Sequence, residues 1–251
     1  TIASEKILKK TGAWFLLNEE NISFFRRMHV WDENGNGEIH FESASICQPT
    51  MGYIISHQVI LNALYKKLHD IENIICVRGV SPSSIKKETD IITIDTDRGQ
   101  QFKTKLVVAA DGSNSKVRNL VNIDYQKHDY KQSALVCIVT SEISHGEVAR
   151  QRFLKDGPLA FLPMKNPYQS AIVWSSTPEY IDQLLKFDKE TFHDELGDAF
   201  GNKLGKIKES SKRNIFSLSR AQAEHYVQPR LALIGDSAHT VHPLAGLGAN
   251  L

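Results

Sequence analysis

Two apolar runs that break off into aspartate and glycine limit this chain more than any other feature. Leu106-Val-Val-Ala-Ala is followed by Asp111-Gly112, and Leu231-Ala-Leu-Ile is followed by Gly235-Asp236, the two aspartates lying 125 positions apart. Short unbroken runs of this kind suit strands buried on both faces of a sheet. Ligands of open α/β sheets gather beyond the carboxyl ends of such strands. A carboxylate there accepts hydrogen bonds from the hydroxyls of a sugar or sugar alcohol, and glycine lets backbone approach a bulky ligand closely. One Asp-Gly pair is common and decides nothing; the repetition at two strand ends is informative.

The flanks of the two runs add detail. After Asp111-Gly112, Ser113 is expected to cap a helix, with Arg118 about a turn and a half along it. Arg118 is either a fork for a phosphate or carboxylate, or a surface helix arginine. After Asp236, Pro243 opens a loop containing Gly246 and Gly248, and Ala249-Asn250-Leu251 reads as a helix start, where unpaired N–H groups suit an anionic or electron-rich ligand edge. Asp236, His239 and His242 have a spacing that brings them near a common metal, but Pro243 interrupts the helix this requires and no further ligand follows. No metal site is expected.

Together these segments resemble the FAD-dependent aromatic hydroxylases, or flavoprotein monooxygenases, and within them the ubiquinone-biosynthesis branch. Gly-Asp-Ser-Ala-His-Thr-Val-His-Pro-Leu-Ala-Gly-Leu-Gly-Ala-Asn-Leu at 235–251 resembles that family's second flavin motif, and residues 106–118 resemble its Asp-Gly motif. The resemblance implies ribityl contact for Asp236 beside Gly235. It implies flavin-ring contact for the segment Pro243, Gly246, Leu247, Gly248, Ala249 and Asn250. It implies a share in FAD and NAD(P)H binding for Asp111, Gly112 and Arg118, the last by anchoring the motif or meeting a pyrophosphate. Leu247 stands where the family usually has Gln, so only a backbone contact carries over there.

By the same resemblance the fold is α/β with an α+β part: an FAD/NAD(P)-binding three-layer fold with an inserted, mostly antiparallel substrate sheet. Residues 1–27, 51–130 and 229–251 are then expected in the cofactor-binding domain. A hairpin at 28–50 and residues 131–228 are expected in the substrate domain. The family begins with a G-x-G-x-x-G unit that holds the pyrophosphate. This chain lacks that pattern, starts at Thr1 and stops inside a motif, and is expected to be a piece of a longer protein.

Residue patterning fills in the rest. A helix, a break at Gly12 and a short apolar turn occupy residues 2–17. Residues 28–41 alternate around an Asn/Gly turn as a hairpin; a calcium-loop reading of Asp32, Asn34, Asn36 and Gly37 fails at its twelfth position, Ser43. Residues 59–68 repeat at helical spacing with Ser56 as N-cap; His57 in the first turn reads as a solvated helix-start residue, while by the resemblance this helix turns His57 or Gln58 toward FAD. Strands are expected at 74–80, 91–96, 102–109, 134–140, 148–154, 159–163 and 170–175, and helices at 180–187 and 192–200. Strands in succession followed by helices suggest an antiparallel sheet with a helical cover. Phe153, Phe161, Trp174 and Phe216 are aromatic candidates for a ring-binding wall or for ordinary core.

A chain 41% hydrophobic and 24% charged can bury a sizeable core, and a net charge of +1 gives no electrostatic case for nucleic acid. Cys47, Cys76 and Cys137 form no C-x-x-C pair, consistent with a reducing cytoplasm, and no apolar run is long enough to span a membrane. The function expected from the resemblance is hydroxylation of an aromatic ring, a polyprenyl phenol or quinol, with FAD, NAD(P)H and O2. The partners it implies are a hydrophobic aromatic substrate, a membrane surface met peripherally at its inner face, and a multi-enzyme biosynthetic complex. No acid or base can be named, because the flavin carries the hard step. Two alternatives stay open: a flavin-dependent hydroxylase or reductase of another hydrophobic ring, and a flavin-free module without catalysis.

Overall fold

The computed structural model describes residues 1–241. They form a mixed α/β chain with helices α1 (Ile2–Lys10), α2 (His57–His69), α3 (Lys116–Leu120), α4 (Pro178–Lys186) and α5 (Lys189–Ala199). Two compact units divide it: Thr1–Ile74 with Lys131–Ser217, and Ile75–Tyr130 with the chain from Leu218.

The larger unit is built on an antiparallel array. Gly157–Pro163 pairs with Val148–Leu154 on one side and Gln169–Ser176 on the other, and Gln169–Ser176 pairs in turn with residues 133–140. The hairpin Arg27–Asp32 and Glu38–Glu42 joins the same sheet through a parallel pairing of Arg27–Asp32 with Val148–Leu154. Alternation along these strands sends Leu135, Cys137, Leu159, Phe161, Ile172 and Trp174 into a core. Helices α4 and α5 close it with Ile181, Leu184, Phe192 and Leu196. The hydroxyl of Thr177 accepts from the Tyr180 N–H to begin α4, and the carboxylate of Asp188 accepts from the Thr191 N–H at 2.8 Å to begin α5. Arg213 ends α4 by donating to the carbonyls of Leu184 and Phe187. A smaller core, Ala13, Leu17 and Ala63, lies where α2 meets the turn after α1. Ser56 is the N-cap of α2 by position, but its side chain makes no capping bond.

In the second unit, Pro82–Lys87, Ile92–Thr96 and Gln101–Thr104 form an antiparallel three-stranded sheet. Val107–Ala109 and Leu231–Leu233 run parallel, with Val227–Gln228 beside the latter.

Three sequence expectations change here. Residues 74–80 form no strand, and Ile75 is 87% exposed; a β-branched run needs a partner to become a strand, and Ile92–Thr96 pairs with Pro82–Lys87 and Gln101–Thr104 instead. The run 102–109 splits at a turn where Thr104 Oγ1 accepts from the Leu106 N–H, so its halves serve different sheets. The strand-end runs are buried on one face only: Val107, Ala109, Leu231 and Leu233 are inside, whereas Val108 is half exposed, since no described element covers it.

Candidate functional site

The site lies in the second unit, where tertiary pairing joins the two strand-end motifs. Leu231 is registered with Val107 and Leu233 with Ala109, so the parallel strands release their chains at the same edge. Asp111-Gly112 and Gly235-Asp236 are thereby neighbours. Gly112 has φ +82 and Gly235 has φ +58, left-handed backbone that glycine adopts without strain. A Cβ added at either would meet nothing within 4 Å, so these glycines face open space among the described residues.

Polar groups lock the two turns together from below. Ser237, fully buried, places Oγ 2.6 Å from the Ala109 carbonyl and 2.7 Å from the Ile234 carbonyl, and accepts from the Ile234 N–H. With one proton it donates to one carbonyl at a time. The Ile234 N–H also donates to the Ala109 carbonyl at 3.0 Å, extending the parallel pairing by one step.

Arg118 completes the lock. It is 4% exposed, which rules out a surface helix arginine. Its Nη1 donates to the Ser237 carbonyl at 3.0 Å and its Nη2 to the Ser113 carbonyl at 2.8 Å. The guanidinium lies 3.5 Å over the Tyr125 ring, whose hydroxyl is 3.2 Å from Thr240 Oγ1. One buried cation thus holds the turn after each motif, and its Nε has no partner among the described residues.

The helix cap differs from expectation. Ser115, not Ser113, starts α3, its Oγ accepting from the Arg118 N–H at 3.0 Å, while Asp111 Oδ2 accepts from the Val117 N–H. Arg118 is therefore in the first turn of a helix that starts later than the sequence suggests. Asp236 differs from Asp111: it is exposed, and no described side chain engages its carboxylate. That carboxylate, the open space at two left-handed glycines and the strand-end backbone suit a ligand rich in hydroxyls, which is the chemistry of a ribityl chain.

Beyond Asp236 the chain turns into the short strand His239–Thr240, which pairs with Ala221 and Gln222. A cleft of about 740 Å³ opens there, lined by Lys127, His128, Arg220, Tyr226 and His239 among others, with no carboxylate among its described lining. His239 stacks on Tyr226, and its Nδ1 is buried without a partner among the described residues. A basic, aromatic wall of this kind suits an electron-rich or anionic group. Sequence reading missed Lys127, His128, Arg220 and Tyr226, as well as Ser115, Ser237 and Tyr125. No motif marks them; only strand pairing assembles them.

The remaining candidates are placed as follows. Pro243, Gly246, Leu247, Gly248, Ala249 and Asn250, with His242, lie outside the described residues. His57 and Gln58 are exposed at the start of α2, where Gln58 Nε2 donates to Asn62 Oδ1. Phe161 and Trp174 belong to the buried core, Phe161 stacked 3.7 Å from Phe200, whereas Phe153 and Phe216 are exposed. Burial pushes the Cys137 thiol up to about 12, so that sulfur is inert at neutral pH.

A family model described as "FAD binding domain" matches residues 77–251, which includes both motifs. The chain belongs to this family. Curated relatives that it resembles include 3-demethoxyubiquinol 3-hydroxylase of Escherichia coli K12, 33% identical over 249 residues, covering 99% of this chain and 63% of the relative. Another is the mitochondrial ubiquinone biosynthesis monooxygenase COQ6 of Homo sapiens, 33% identical over 291 residues, covering 99% and 62%. The chain therefore spans somewhat less than two thirds of these relatives' length. Among solved structures, PqsL of Pseudomonas aeruginosa in complex with 2-aminobenzoylacetate superposes with a TM-score of 0.82 at 19% identity, covering 99% of this chain and 70% of that one. At that identity the likeness establishes a shared fold. Among the described residues no helix is long and apolar enough to cross a membrane.

Proposed function

We propose that this chain forms the larger part of an FAD-dependent monooxygenase that hydroxylates an aromatic ring, a polyprenyl phenol or quinol of ubiquinone biosynthesis. The observation that carries the reading is the parallel register of Val107–Ala109 with Leu231–Leu233, which makes one ligand edge out of two distant motifs. Flavin, when bound and reduced by NAD(P)H, supplies the activation of O2. The chain's own residues bind, orient and exclude water. Asp236 accepts hydrogen bonds from ribityl hydroxyls, with Gly235 and Gly112 leaving the space the ligand needs. Asp111 and Arg118 hold the shape of that edge through the backbone bonds described above.

The residues from Pro243 to Asn250 serve the flavin ring in this reading, through backbone at Leu247. Residues 1–27, 51–130 and 229–251 serve the cofactor, and residues 28–50 and 131–228 the substrate. The relatives' names support the ring chemistry, and in this reading the hydrophobic substrate is met in the cytoplasm at the inner face of a membrane, with a biosynthetic complex as partner.

The test uses the full-length protein. Flavin absorption in the purified material, NAD(P)H oxidation stimulated by a short-chain polyprenyl phenol, and a product heavier by one oxygen are the expected results. Bound flavin with no hydroxylated product from any phenol offered would overturn the substrate assignment. Absence of flavin even after FAD is added would overturn the whole reading.

A further inference from the structure

The hairpin of the larger unit gathers two histidines and a glutamate that the flavin reading does not use. His29 on Arg27–Asp32 and His40 on Glu38–Glu42 are direct cross-strand partners, and Glu38, two residues before His40, shares their face. The His29 Nε2 is 2.8 Å from Glu38 Oε2, and the His40 Nε2 is 3.4 Å from Glu38 Oε1. One ligand atom from each residue lies within 4.8 Å of the other two. We propose that His29, Glu38 and His40 form a binding site for a divalent transition metal of the zinc class, a clasp across the two strands of the hairpin.

Ligand chemistry supports zinc over calcium or magnesium. Two neutral imidazoles and one carboxylate suit zinc, whereas the hard cations take oxygen donors throughout. Donor atoms of a tetrahedral zinc are about 3.3 Å apart, given bond lengths of about 2.0–2.2 Å. The His40 separation of 3.4 Å is already near that spacing, and the His29 separation of 2.8 Å is a hydrogen bond that the ion would replace. The two rings stack 4.2 Å apart, so bringing their nitrogens onto one ion takes a rotation of His40, the more exposed of the two. His29 is the fixed side: its ring also stacks on Trp31, which packs into the core.

The hairpin has a structural use for such an ion. Glu38–Glu42 is an edge strand with no buried residue, so it has little packing to hold it on the sheet. Two guanidinium groups, Arg27 and Arg150, line the same shallow cleft and oppose a cation there. Both are already turned to backbone carbonyls, Arg27 to Gly146 and Arg150 to His145.

The experiment is equilibrium dialysis against zinc, with metal analysis, of the full-length protein carrying Cys47→Ser and Cys76→Ser, since both of these thiols are exposed. Cobalt replaces zinc in a parallel sample to read a tetrahedral visible spectrum. One ion per chain, weakened at least tenfold by His40→Ala and retained by His40→Cys, is the expected result. Zinc should also slow amide exchange over residues 38–42. No stoichiometric zinc, or zinc unaffected by combined His29→Ala, Glu38→Gln and His40→Ala, overturns the proposal. Should the variants fail to fold, zinc protection of His29 and His40 from carbethoxylation in the unsubstituted protein decides it: protection at both supports the site, and protection at one or neither refutes it.

Discussion

The larger unit and the second unit bury different things. In the first, Phe161, Trp174, Phe192 and Phe200 fill the core between a sheet and two helices, and the buried polar residues, among them Ser133, Ser170, Ser175 and His193, are spread along that sheet and its helices. In the second, the core is small and aliphatic, built from residues such as Ala109, Val117, Ala223 and Leu233, and beside it sit the buried Ser115, Arg118 and Ser237. A large aromatic core is a stability device, because each ring removes a large apolar area from water. A buried polar lock contributes less net stability, since each bond replaces one to water. It determines shape instead, holding the two turns at one edge.

That contrast can be broken by substitution. Trp174→Ala should have the largest effect, costing about 3–5 kcal/mol by cavity formation; a loss below about 1 kcal/mol in urea unfolding would show that the aromatic core does not carry the larger unit. Arg118→Ala should follow at about 3 kcal/mol, because two carbonyls lose a charged donor. Arg118→Lys should recover less than half of that, since an ammonium cannot fork to Ser113 and Ser237 together. Full recovery with Lys would mean that only the charge matters.

Ser237→Ala should cost about 1 kcal/mol, because the hydroxyl's bonds to the Ala109 and Ile234 carbonyls are lost while the Ile234 N–H still donates to the Ala109 carbonyl. Acid should then separate the units further. Burial, foremost, holds the His193 pKa below its ordinary value, with Lys189 adding to the effect, while the ring meets Ser210 Oγ at 3.0 Å. The unfolded chain therefore takes up a proton first as pH falls. The stability from neutral His193 is complete above about pH 6.5 and declines as pH drops below it toward the folded-state value. His193→Gln should flatten that part of the pH profile of thermal unfolding, and an unchanged slope would assign the acid sensitivity elsewhere.

The smallest effect on folding is expected at Asp236. Asp236→Ala should change stability by no more than about 0.5 kcal/mol, as for an exposed side chain without partners. Flavin content should nevertheless fall tenfold or more, measured as flavin absorbance per protein. If stability and flavin fall together, Asp236 belongs to the lock rather than to the ligand edge.

What the sequence determined by itself is local. Gly112 and Gly235 are legible because left-handed turns call for glycine, and the helices α1, α2, α4 and α5 are legible because their apolar residues recur on one face. The hairpin is legible from its alternation and its Asn/Gly turn. Even here locality sets a limit, since Ser113 and Ser115 are equally good caps on paper and the backbone path chose the second.

Tertiary structure decided everything that depends on which strand lies beside which. It buried Arg118 under a turn 119 residues away, sent Phe161 and Trp174 into the core while leaving Phe153 and Phe216 exposed, and left residues 74–80 without a partner. The same holds for His29, Glu38 and His40, whose side chains meet only because the hairpin register sets His29 opposite His40. The physical reason is that burial and pairing are properties of two segments at once. A run of residues carries its own preference for strand or turn, but the free energy that fixes its register comes from apolar area and hydrogen bonds supplied by a distant partner.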